Sequence, residues 1–156
     1  MRIVSSLVLS ALGISAASAA MASTLAIHEG EYYVGLGGGA IVAFRPLPGG
    51  KAVIAPVETL TTSKSRLKPF TKDMVIQAVK SGYTGTLKQV SPGHYDFILG
   101  SPANPASYCI HTVTVKPDGL LIQMPKLQRG CMHYHGAMWG FSNYMGGTVK
   151  PYNVGK

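Results

Sequence analysis

The chain has 156 residues, 14 Lys+Arg against six Asp+Glu, and a formal net charge of +8. Charged residues make only 13% and hydrophobic residues 46%, a balance that excludes a disordered polyampholyte or an acidic tail. Nineteen glycines and ten prolines without a period exclude collagen and long helical bundles, and the length suits one domain.

The N-terminus reads as an export segment. Met1-Arg2 is a minimal positive start, and Ile3 to Ala16 continues without a charge. Ala17-Ser18-Ala19 then fits the small-x-small pattern before a cleavage site, and Ala20-Met21-Ala22 offers a second. Residues 1–19 are therefore expected to be a signal peptide, with cleavage after 22 as the other option, and the mature protein to be secreted or periplasmic. The apolar core is short for a bilayer span of about 20 residues, and no later run is long enough, so no transmembrane span is expected after cleavage. Residues 20–156 are left as a single β-rich domain.

Short strand patterns between turn signals come next. Glu31 to Leu36 and Ala40 to Arg45 flank Gly37-Gly38-Gly39, and Lys51 to Val57 lies beyond Pro46-Leu47-Pro48-Gly49-Gly50. One stretch favours helix, about 71–81. Thr71 can cap it, Lys72 to Ser81 lack Gly and Pro, and Val75, Ile76 and Val79 share one helical face. Thr86 to Val90 and His94 to Leu99 form a hairpin across Ser91-Pro92-Gly93. Tyr108 to Val115 and Leu120 to Met124 form another across Lys116-Pro117-Asp118-Gly119, where Pro fixes φ and Gly permits a positive φ. Cys131 to Phe141 is a last strand candidate, and the residues from about 142 read as an irregular tail. Seven or eight such strands with one helix predict a mainly β fold, a small antiparallel β-barrel or β-sandwich.

Two cysteines in an exported chain predict a Cys109–Cys131 disulfide. If Lys116 pairs with Gly119, His111 lies opposite Met124 and Cys109 falls near Lys126. A staple at the open end of that hairpin and a bridge between two sheets are both allowed.

Four features bear on function. Lys64, Arg66, Lys68 and Lys72 crowd four bases into nine residues, Lys80 and Lys88 extend the run, and only Asp73 opposes it. Such a 64–88 region attracts anionic surfaces, acidic polysaccharides or a protein partner of opposite charge. Phe70 and Tyr83 are too few aromatics for a base-stacking surface. The second feature is His133-Tyr134-His135: on a strand both imidazoles would share a face about 7 Å apart, and with His111 they form a candidate copper or zinc site. Third, His94 and Asp96 share one strand face and are a candidate pair for a small hydrolase, although no serine lies in a nucleophile-elbow pattern. Fourth, Gly35-Leu36-Gly37-Gly38-Gly39-Ala40 has the letters of a dinucleotide loop. The segment after it, Ile41 to Arg45, is short, β-branched and ended by Pro46, so the glycines read as a turn between strands and no nucleotide cofactor is expected. The leading expectation is an exported, non-catalytic β-domain that binds a partner or an anionic surface through the basic region.

Overall fold

The computed structural model describes residues 26–37, 40–59, 70–124, 126, 128–134 and 147–155. The signal peptide assignment lies outside them. Eight antiparallel strands run in chain order: β1 (Tyr33–Gly37), β2 (Ala40–Leu47), β3 (Lys51–Thr59), β4 (Tyr83–Ser91), β5 (His94–Leu99), β6 (Cys109–Lys116), β7 (Gly119–Gln123) and β8 (Gly147–Pro151). Each pairs with its sequence neighbours, and β8 pairs back onto β1 to close a barrel.

Period-two alternation decides what faces inward. Along β6, Cys109, His111 and Val113 are buried while Ile110, Thr112 and Thr114 are half-exposed. The inward set from all strands includes Tyr33, Val42, Phe44, Ile54, Phe97, Leu99, Val113, Leu120, Ile122 and Val149. Phe44 and Phe97 meet edge to face, 5.3 Å between centroids. An eight-stranded barrel is just wide enough for side chains to fill it, and here large apolar side chains do so. The seam between β1, β8 and β7 requires glycine. A Cβ on Gly35 would strike the backbone carbonyl of Thr148, and one on Gly119 the backbone carbonyl of Val149.

The predicted helix, α1 (Lys72–Lys80), forms a second layer. The Met74 amide donates to Thr71 Oγ1 at 3.3 Å, the expected N-cap bond. Val75 and Val79 are buried against Val34, Ile41, Ala43 and Val53 on the outer faces of β1 to β3, with Phe70 and Tyr152 at the margin. Ile76, expected on the same face, is half-exposed.

The hairpins lie where the turn chemistry puts them. Lys116 pairs with Gly119 and Thr112 with Gln123, so the register runs toward His111 opposite Met124. Gly37 pairs with Ala40, so β1 is followed by strand β2 and not by a helix. Two expectations are corrected. Residues Arg129–His133 form a 3-10 helix, so the segment from Cys131 does not begin a strand; residues 135–141 of that candidate lie outside the described ones. The cause is local bonding. The Gln128 side-chain amide accepts from Ile110 N–H at 2.9 Å and donates to Ile110 C=O at 2.8 Å, occupying the edge of β6 that a further strand residue would need. The second correction concerns the tail, which holds β8 within residues 147–151.

Candidate functional site

The sulfur pair comes first, because it fixes what the histidines can do. Cys109 and Cys131 are joined in a disulfide with their Cα atoms 4.8 Å apart. It sits at the open end of the β6–β7 hairpin, where the 128–131 turn folds back onto the start of β6. Tyr134 secures the same end: its hydroxyl donates to the Ser107 carbonyl and its ring meets Tyr83 edge to face at 5.1 Å. Burial raises the Tyr134 phenol above its ordinary pKa, more than the Ser107 bond lowers it.

His111 points into the barrel and is fully buried, its Nδ1 3.3 Å from Cys109 Sγ. Burial lowers its pKa to about 4, so the ring is neutral at physiological pH. Donor atoms of Cys109, His111 and Cys131 lie within 4.8 Å of one another. Both sulfurs are committed to the S–S bond, so this cluster offers one imidazole instead of a two-thiolate, one-imidazole set. His133 is exposed on the 3-10 helix, its ring 5.1 Å from that of Tyr134. The strand needed to align it with His135 does not form at 131–133, and His135 lies outside the described residues. Among the described residues, no group of three donor side chains contains both His111 and His133.

His94 and Asp96 do share the outer face of β5. His94 Nδ1 is 3.4 Å from Thr114 Oγ1, and Asp96 pairs in register with Lys88 on β4 and Thr112 on β6. Neither the cleft beside Arg45 nor the one near Tyr33, described below, is lined by them.

Of the basic region, Lys64, Arg66 and Lys68 lie outside the described residues. Lys72 opens α1, Lys80 ends it, and Lys88 stands on the outer face of β4; all three are exposed. Among the described residues the one ion pair is Lys150–Asp118 at 3.3 Å, both ends about two-thirds exposed, so none of these lysines is neutralised within that set.

A cleft of about 690 Å³, which no pattern in the sequence announces, opens between the segment before β1 and the segment after β8, with Tyr32, Arg45 and Tyr152 among its walls. Arg45 stands over the Tyr32 ring, 4.4 Å from its centroid, and its Nε donates to the Gly30 carbonyl at 3.2 Å. A second cleft of about 250 Å³ lies near His28, Tyr33 and the β6–β7 turn. At its edge Tyr33 donates to Glu31 Oε2 at 3.1 Å, and burial together with the Glu31 charge pushes the phenol up to about 12. Arg45 is the last residue of a β-branched, aromatic strand pattern and is separated from Tyr152 by most of the chain. Only closure of the barrel brings them together.

Comparison with known proteins places no further constraint: no family model, no curated protein and no solved structure matches this chain.

Proposed function

We propose that this protein is an exported, non-catalytic binding domain that attaches to an anionic surface or polymer through its 64–88 region. The observation that carries the reading is the division between inside and outside. The barrel interior is packed with Phe44, Phe97, Ile54, Leu99, Leu120 and Ile122, all fully buried, which leaves the outer surface for ligands. On that surface Lys72, Lys80 and Lys88 are exposed with no ion-pair partner among the described residues, and they continue in sequence from Lys64, Arg66 and Lys68. Like charges held at a surface raise the local concentration of anions and are screened by salt over about 8–10 Å. The disulfide accords with an oxidising compartment.

The metal and hydrolase readings receive less support. The first loses the strand geometry at His133, which is exposed on a 3-10 helix while His111 is buried in the barrel. The second has a His94–Asp96 pair on the outer face of β5 that lines neither of the clefts described above. The test is retention on immobilised heparin and on phosphatidylglycerol vesicles at rising salt, comparing wild type with K64E/R66E/K68E. The reading expects retention that falls steeply with salt and is lost in the triple variant. Retention that ignores both salt and charge reversal would refute it.

A further inference from the structure

We propose that the cleft floored by Arg45 is an oxyanion subsite that takes the carboxylate of a uronic acid residue in an acidic polysaccharide. This deepens the anion-binding function and rests on it for the polymer, but not for the cleft.

An uncompensated cation is the starting point. Arg45 is half-buried on the outer side of β2, yet no carboxylate among the described residues comes within ion-pair distance of it. Glu31 shares the cleft but engages Tyr33 instead. Withdrawing a guanidinium from water without a counter-charge is unfavourable unless something else holds it. Here the Tyr32 ring supports one face and the Gly30 carbonyl accepts from Nε. Those two contacts fix the plane of the group and leave its two terminal nitrogens uncommitted among the described residues. A planar fork held in place in this way matches a carboxylate through two parallel N–H···O bonds.

The surroundings select the ligand. The cleft, about 690 Å³ and open to solvent, has room for a sugar ring. Tyr32, Tyr152 and Asn153 give it the mixed apolar and hydrogen-bonding walls that suit a sugar ring. A second cation stands at its rim: a Cβ built on Gly155 would lie 3.6 Å from Lys72 Nζ. Lys72 is also where the basic run meets α1. A flexible polyuronate can place one residue in the cleft while its neighbours lie toward Lys72 at the rim.

The probe is a galacturonate trimer, titrated into the full protein while the Arg45 Nε–Hε resonance is followed by 15N NMR. The trimer should shift that resonance, and Arg45→Gln should weaken binding by more than about tenfold, as expected for loss of a bidentate charged pair. Arg45→Lys, which keeps the charge and loses the fork, should fall between. Lys51→Gln, at an exposed lysine outside both the cleft and the 64–88 region, should bind the trimer within about twofold of wild type. An unmoved Arg45 resonance, or equal trimer affinity in Arg45→Gln, would overturn the inference even if heparin retention behaves as predicted. Inorganic phosphate shifting Arg45 as strongly at equal concentration would also overturn it, by making the site a general oxyanion trap. Trimer binding that survives in a protein with no salt-sensitive retention would sustain the subsite and remove the polymer reading.

Discussion

His111 faces Phe97 across the β5–β6 ladder and lies 3.3 Å from the Cys109 sulfur, with no exposed surface of its own. Its pKa is lowered by burial to about 4, against about 6.5 in an unfolded chain. The unfolded state therefore takes up the proton first as pH falls. The native state keeps its full advantage above about pH 6.5, loses it progressively down to about pH 4, and then levels. The loss is on the order of 3 kcal/mol across that window, an upper figure since burial can relax. Urea titrations from pH 7 to pH 4 should show this slope in wild type, and His111→Leu should flatten it; an equal slope in the variant would assign the acid sensitivity elsewhere. In sequence His111 resembles a metal ligand because its Cys-x-His spacing repeats near His133. Its residue type and spacing are legible there. The face of the strand it occupies depends on how the barrel closes, and a lone alternating segment does not specify that. Arg45 escapes a sequence reading for a related reason: its partners Gly30 and Tyr32 lie across a hairpin, and the other wall of its cleft comes from after β8.

At the level of elements, α1 shows local signals and tertiary contacts agreeing. Thr71 caps it, and Val75 and Val79, four residues apart, reach the apolar patch outside β1 to β3. Val75→Ala should destabilise the protein by about 2 kcal/mol, through lost burial and the cavity left behind. The measurement is the midpoint of chemical denaturation, and an unchanged midpoint would mean that the helix is not docked. Tight turns at 91–93 and 117–118 are legible because Pro fixes φ in both and Gly93 supplies a positive φ, +73°. The 3-10 helix at 129–133 is not, since Cys-Met-His-Tyr is as compatible with a strand. What overrides that pattern is Gln128 bonding both backbone groups of Ile110. Likewise β8 is only five residues long, between Gly147 and Pro151, and its inward Val149 gains meaning only from β1 and β7 on either side. The disulfide links elements separated by 22 residues. Its removal by Cys109→Ala/Cys131→Ala should cost about 3 kcal/mol on the loop-entropy view. A thermal scan of the variant alongside wild type tests this, and an unchanged Tm would mean that Gln128 and Tyr134 hold the turn unaided.

For the molecule as a whole, closure is what separates a packed interior from a working exterior. Eight short strands close on themselves without a free edge, and large apolar side chains fill the lumen. The barrel-or-sandwich class is legible from strand count and turn spacing; the choice between them is not, because it rests on β8 pairing with β1 across nearly the full chain. In the function proposed above, binding falls to surface charge: a chain of formal charge +8 with exposed lysines at 72, 80 and 88 would concentrate anions there. The most direct test is the dissociation constant for a soluble polyuronate measured from low to physiological salt and above. The account predicts that log Kd rises steadily with log salt in wild type, and that K64E/R66E/K68E binds far more weakly with a much flatter slope. Equal slopes and affinities for the two proteins would contradict it.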